Sequence, residues 1–285
     1  MKMPDDIVWE LRGIRKTFGP VVANDDVSLA LRRGQIHGLV GENGSGKSTL
    51  IKTLCGAHQP DAGTILHEGR PVRLDSPLAA RALGIATVFQ EFSLVPHMSV
   101  AENIFLGRWL GQPLRVDWTA MQEAASRVLA SFGIDIPPDA LIRDLPVAEQ
   151  QLAEIAKAMA ANASVIILDE PTSALGPRET EHLHNLLRRM RDGGAAILYI
   201  SHRLDEVVRL CDVVTVMRNG RVVSAAGQTP LDISGVITLM IGKGVTEHYP
   251  KVHREAGEVL LEVRDIATER GVRGVPEYLL SCSSV

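Results

Sequence analysis

The stretch Gly41-Glu42-Asn43-Gly44-Ser45-Gly46-Lys47-Ser48-Thr49 has the residue types and spacing to hold phosphate. It fits G-x-x-x-x-G-K-[ST]. The glycines let backbone N–H groups turn inward around phosphate oxygens, Lys47 brings a point charge to the terminal phosphates, and the Ser48 hydroxyl can ligate Mg²⁺. An apolar strand precedes the loop and a helical run follows, so a helix N-terminus and its dipole face the anion. A Gly/Ser-rich turn with an accidental lysine would not need that strand–loop–helix frame.

Further candidates lie downstream. In VIILDE, four apolar residues place Asp169 at the carboxyl end of a buried strand, where open α/β sheets bind ligands, and Glu170 follows at once. Asp169 is a second candidate for Mg²⁺, and Glu170 could polarise an attacking water. His202 in LYISHRLDE and Gln90 in ATVFQEF also follow apolar strands. Taken singly, each is as readily a polar strand end as a functional group. Gln90 has the chemistry to touch both metal and water. Phe18 could stack on a base, and by spacing alone it is equally a core or turn aromatic.

Elements alternating between strand and helix must position these groups. IVWELRGI, VANDDVSLAL and QIHGLV read as strands, GTILHEGRPV as a hairpin on a Glu-Gly turn, and DVVTVMRNGRVVSA as a hairpin on an Asn-Gly turn. The segment PRETEHLHNLLRRMRDGG opens with proline and ends with glycines, as a helix does. Asp117 and Gly133 bracket another. The fold expected is α/β, with a mainly parallel sheet, an N-terminal antiparallel β subdomain and a helical subdomain inserted at about residues 92–162. Lys47, Gln90, Asp169 and His202 then converge on one edge of one sheet.

Bulk properties exclude several classes. Across 285 residues the net charge is −4, which argues against a nucleic-acid partner. Cys55, Cys211 and Cys282 are scattered without metal or disulfide spacing and read as core filler. No apolar run reaches the length of a membrane span and no signal peptide is visible, so membrane association is expected to go through a partner. Trp109, Trp118 and the cluster RRMR at 188–191 read as packing and solvated helix face.

Together, in this order, the motifs resemble the ATP-binding cassette, the motor domain of ABC transporters, over about residues 7–245. The resemblance implies an ATP hydrolase with ATP and Mg²⁺ as ligands. Phe18 matches the adenine-stacking aromatic, Gly41–Thr49 Walker A, and Gln90 the Q-loop glutamine. Asp169 and Glu170 match Walker B with its catalytic glutamate, SALG the D-loop, and His202 the switch histidine. FQEFSLVPHMSVAENIFLGR, EQQLAEIAKAM, ISHRLDEV and IGKGVTEHYP look more narrowly like the first half of the fused two-cassette ATPases of bacterial sugar importers. That implies integral-membrane permease subunits, a second cassette fused or in trans, an indirect periplasmic solute-binding protein, and a place on the cytoplasmic face of the inner membrane. LLEVRDI at 260–266 echoes VWELRGI near the start. A linker at 246–257 and the truncated or frame-shifted start of a second cassette at 258–285 are therefore expected.

One motif departs from the family. LPVAEQQ stands where the signature L-S-G-G-Q would open a helix and clamp the phosphate held by the opposite cassette. Pro146 has neither hydroxyl nor N–H, although proline is tolerated in a first helical turn. Losing the serine half of the capping box costs about 0.5–2 kcal/mol, and Glu149 brings negative charge toward a phosphate. A sound helix with a poor clamp is expected. The first-half signature of this family is usually degenerate, but Pro146 goes beyond that pattern, and Gly176 is a second departure, in the D-loop. The reading is a transporter motor with weak or no turnover in this chain alone. The alternatives are a fragment that binds ATP without hydrolysing it, and a soluble relative in translation or repair.

Overall fold

The computed structural model describes residues 6–89, 92–112, 115–161, 163–227, 232–242, 261–262 and 279–280. Residues Met1–Lys243 form one compact unit and Gly244–Val285 a second. In the second, the described residues Leu261–Glu262 and Leu279–Leu280 pair antiparallel. The expected linker and second-cassette start otherwise lie outside the described residues.

The first unit opens with β1 (Ile7–Phe18), β2 (Val21–Arg32) and β3 (Gln35–Gly41), followed by α1 (Lys47–Leu54), β4 (Ala62–His67) and β5 (Arg70–Val72). Helix α2 (Pro77–Ala82) leads into β6 (Ile85–Val88). The helical block holds α3 (Val100–Ile104), a small hairpin of β7 (Gly111–Gln112) and β8 (Arg115–Val116), α4 (Trp118–Ser131) and α5 (Val147–Met159). Then come β9 (Val165–Asp169), α6 (Pro177–Asp192), β10 (Ala196–Ile200), α7 (Leu204–Leu210), β11 (Val213–Arg218), β12 (Arg221–Ser224) and α8 (Ile233–Ile241).

Two sheets result. One is antiparallel, in the order β2-β1-β4-β5. The other has six strands in the order β12-β11-β3-β10-β9-β6, parallel except for the edge strand β12. The expected α/β class is what forms. The apolar strands follow from burial on both faces. In β9 and β10, Val165, Ile167, Ala196, Leu198 and Ile200 join one core with Leu50, Ile51 and Leu54 of α1 and with Leu11 and Leu29 of the antiparallel sheet. The alternate residues Ile166, Leu168, Ile197 and Tyr199 join the opposite core with Leu183 and Leu187 of α6 and Val207 of α7.

Turn chemistry places the hairpins where the dipeptides indicated. Asn219 and Gly220 both take positive φ, 50° and 75°, as do Glu68 and Gly69 at 48° and 77°. Asp117 accepts from Ala120 N at 2.9 Å to start α4, and Gly133 has φ +67° just beyond its end. Cys55 and Cys211 are buried core residues; Cys282 lies outside the described residues. The tryptophans pack on one another. Trp109 and Trp118 are 40% and 54% exposed and meet edge to face at 6.1 Å across the β7–β8 hairpin. They cover each other rather than packing into the core.

Candidate functional site

The phosphate loop lies between β3 and α1. Helices α2, α3, α4 and α8 begin with a side chain accepting from their own backbone: Ser76, Ser99, Asp117 and Asp232. Helix α1 does not. Its N-cap is Gly46, in left-handed backbone at φ 101°, with no side-chain cap and no acidic residue in its first turn. Its leading N–H groups are thus not spent on a cap of their own, as an anion site requires. Gly46 has no room for a side chain: a Cβ there would collide with the Ala23 carbonyl and the Asn24 amide. Asn24, buried in β2, instead donates to Gly46 O at 3.0 Å and pins the loop against the antiparallel sheet.

The Lys47 ammonium donates to Gly41 O at 2.7 Å and Glu42 O at 3.0 Å, closing the loop on itself. Ser45 N donates to Glu42 O at 3.1 Å. Burial lowers the Lys47 pKa, opposed by the charges of Glu170 and Asp169. Ser48 follows on α1 and is exposed, Thr49 is half-buried, and Asn43 and Gly44 form the exposed crest of the loop.

On the same sheet edge, Asp169 ends β9 in register with Ile200 of β10. Burial raises its carboxyl pKa, and the neighbouring Glu170 raises it further. Two adjacent carboxylates near Lys47 make a local environment that favours a cation. Glu170 takes left-handed backbone at φ 51°, uncommon for a residue with a side chain and costing about 1–3 kcal/mol. Its N–H donates to Ile200 O at 2.9 Å. That turn brings Glu170 Oε1 to 3.0 Å from His202 Nδ1, two residues beyond β10.

Mg²⁺ suits this donor set. Among the described residues no group of three or more His, Cys, Asp or Glu could hold a metal. Mg²⁺ is commonly bound through one or two carboxylates together with water and substrate phosphates. The Asp169 carboxylate and Ser48 hydroxyl are of that kind.

Strand order explains the convergence. β3, β10 and β9 are parallel neighbours with β6 beyond β9, so Lys47, His202, Asp169 and the residue after β6 all leave the same edge. Gln90 itself lies outside the described residues; β6 ends at Val88, paired with Leu168. Phe18 is no core aromatic. It ends β1 at 45% exposure, edge to face with His58 at 5.2 Å and with Lys16 Nζ 5.5 Å from its ring centre. Asp61 accepts from Lys16 Nζ at 2.8 Å and from Thr17, and those bonds hold its pKa down at about 2.

Helix α5 starts differently. Pro146 is its N-cap at φ −54°, ψ 151°, with no side-chain cap, and Glu149 lies in the first turn. Gln150 Nε2 reaches back to Leu145 O at 2.9 Å. Later in the helix, the buried Glu154 accepts from Ser93 N at 2.9 Å and Ser93 Oγ at 2.5 Å, while Lys157 Nζ donates to Ser93 O at 2.9 Å. Arg108 closes the far end by donating to Ala160 O at 2.6 Å. Ser93, Arg108, Glu154, Lys157 and Glu206 fall within stretches that resemble the family, but with Tyr199 and Thr172 they carried no assigned role in the sequence. The one sequence signal for Glu206 is its place in the stretch ISHRLDEV, four residues after His202.

The family model described as ABC transporter matches residues 24–173. The chain is 48% identical over 271 residues to ribose import ATP-binding protein RbsA 1 of Rubrobacter xylanophilus, covering 93% of this chain and 52% of that protein. It is 45% identical over 269 residues to ribose import ATP-binding protein RbsA of Chromobacterium violaceum, covering 93% and 53%. The chain thus spans about half the length of the curated relatives it matches. Among solved structures, a nucleotide-free ATP-binding cassette from an ABC transporter superposes with TM-score 0.72 at 27% identity, covering 81% of this chain and 95% of that one. The ADP conformation of another such cassette gives TM-score 0.72 at 27% identity, covering 83% and 99%.

Proposed function

The chain belongs to the ABC transporter family of ATP-binding proteins, and from that premise we propose that it is an ATP-binding, ATP-hydrolysing motor unit of a bacterial importer. Its solute is a sugar or similar small molecule, ribose being the first to test given the names of its relatives. The observation that carries the reading is the gathering of Lys47, Asp169, Glu170 and His202 on one edge of the parallel sheet, with His202 Nδ1 3.0 Å from Glu170 Oε1.

The roles follow from that layout. Gly41, Glu42, Asn43, Gly44, Ser45, Gly46, Lys47, Ser48 and Thr49 wrap the phosphates of ATP. Phe18 stacks on the base, worth about 1–3 kcal/mol. Ser48, Asp169 and Gln90 hold Mg²⁺, which when bound neutralises charge on the phosphates. Glu170 takes the proton of the attacking water, and His202 keeps that carboxylate in position. The left-handed turn at Glu170 holds the base at a fixed height above the strand end, and catalysis of this kind depends on positioning.

Hydrolysis needs a second cassette, fused or in trans, because this chain offers only the Pro146 end of α5 to an opposite phosphate loop. Alone it binds ATP, with weak or no turnover. Among the described residues no helix is long and apolar enough to cross a membrane. Permease subunits at the cytoplasmic face of the inner membrane supply the pathway, with a periplasmic solute-binding protein acting on them. The permease engages the segment 90–103 and the groove of about 270 Å³ lined by Phe89, Arg81, Ser93, Glu154 and Lys157.

The test has two parts. MgATP binding to this chain is measured by calorimetry, with Lys47→Ala expected to weaken it by at least about tenfold. Turnover and labelled-ribose uptake are then measured with the permease and a cassette carrying an intact signature. Undiminished hydrolysis in Glu170→Gln would sink the assignment, and uptake of another sugar alone would replace ribose.

A further inference from the structure

Resting on that reading of the site, we infer that Glu206 is a positioning residue: its buried carboxylate ties the turn after Glu170 to the loop that carries His202. Glu206 lies on α7 and is 4% exposed, and its hydrogen bonds to described residues go to Thr172, Tyr199 and Arg203 rather than to any group assigned to ATP. Its Oε2 accepts from Thr172 Oγ1 at 2.6 Å and from Tyr199 OH at 2.8 Å. Its Oε1 accepts from Arg203 Nη1 at 2.6 Å.

Each donor belongs to a different part of the catalytic edge. Thr172, itself buried, sits two residues after Glu170, in the turn where Ser173 N donates to Glu170 O at 3.2 Å. Tyr199 is the buried penultimate residue of β10, and its hydroxyl also lies 3.5 Å from His184 Nε2 on α6. Burial and the Glu206 charge raise the Tyr199 pKa, so this hydroxyl keeps its proton and stays a donor. Arg203 immediately follows His202, and its backbone N–H donates to Ser201 Oγ at 3.0 Å.

A buried carboxylate is costly unless it is fully bonded. Here three donors converge on one carboxylate, and two of them flank the 3.0 Å contact between Glu170 and His202. A carboxylate kept only for stability would not need its donors drawn from both loops of that pair. If Glu206 holds the two loops together, loss of the Thr172 bond releases the turn and the His202 ring moves off Glu170.

The experiment is ¹⁵N-histidine NMR on the nucleotide-free chain, with the His202 ring assigned by His202→Gln and the released position defined by Glu170→Ala. Thr172→Val removes the hydroxyl at nearly constant volume, Thr172→Ser retains it, and Glu206→Gln removes the charge. Expected is a shift of the His202 Nδ1 resonance toward its Glu170→Ala position in Thr172→Val and Glu206→Gln, with the wild-type position kept in Thr172→Ser. The His182 ring, exposed on α6, stays unmoved in all of them. If Glu206→Gln does not fold, Thr172→Val decides alone. A folded Thr172→Val with wild-type His202 resonances overturns the inference, as does a shift of equal size in Thr172→Ser. Since this readout needs no nucleotide, failure of wild-type chain to bind MgATP would remove the proposed function while leaving the Glu206 result legible.

Discussion

Two helices of this molecule open at the positions the proposed function gives to phosphate, and their N-termini differ in almost every residue. Helix α1 begins on a left-handed glycine, carries no cap of its own, and has Lys47 as its first residue. Helix α5 begins on a proline, has Val147 and Ala148 where glycines would open the backbone, and carries Glu149 in its first turn. Both leave backbone N–H groups at a positive dipole end, so in the proposed reading a bare helix terminus is not what distinguishes the two. The difference lies in the surroundings. At α1, a glycine fits under Ala23 and Asn24, and a lysine balances the carboxylates of Asp169 and Glu170. At α5, the sequence favours helix formation and adds a carboxylate.

The remainder of α5 shows what such a helix is retained for. Its middle anchors Ser93 through Glu154 and Lys157, and its end is tied to α3 through Arg108. The helix orders the inserted subdomain whatever its N-terminus binds.

The largest effect expected from breaking this contrast is at Glu170. In the assembly with an intact partner signature, Glu170→Gln is expected to reduce ATP turnover by about 10²–10⁴-fold, the range for a lost general base. ATP binding is retained, and single-turnover kinetics separate the two. Next, Lys47→Ala removes charge-assisted bonds of about 1.5–3 kcal/mol each, so MgATP affinity falls by at least about tenfold in calorimetry. Glu149→Gln, the matching change at the other helix, leaves this chain's own affinity unaltered. Smallest is the cap itself. Pro146→Ser restores a side-chain acceptor and is expected to raise stability by roughly 0.5–1 kcal/mol, read as a higher urea midpoint. Adding Val147→Gly and Ala148→Gly lowers it again by up to about 1 kcal/mol each.

Much of the fold was legible because its determinants are local. The strands β3, β9 and β10 show as apolar runs because both their faces are buried, and the hairpins are set by Asn219-Gly220 and Glu68-Gly69. Asp117 and Gly133 bracket α4 by their own chemistry. The short helices α2, α3, α7 and α8 are stabilised by tertiary packing over few residues, too few for a periodic signal. The candidate phosphate loop stands out in the sequence because backbone curvature and charge demand particular residues at a fixed spacing. Asn24, Glu154 and Glu206 were not, because their partners are up to about sixty residues away in the chain and arrive only through the fold. The packing partner of Trp109 and Trp118 was hidden for a related reason: each covers the other on a surface hairpin without entering a core.

The central claim is that α1 binds the nucleotide while α5 does not clamp one held opposite. Sedimentation velocity of the Glu170→Gln chain with and without MgATP tests it most directly, since trapped ATP would hold two such chains together only if each supplied a working clamp to the other. The account predicts a monomer in both conditions, and an ATP-dependent dimer once Pro146→Ser, Val147→Gly, Ala148→Gly and Glu149→Gln are introduced together. An ATP-dependent dimer formed by the chain with its own Pro146–Glu149 sequence would contradict it.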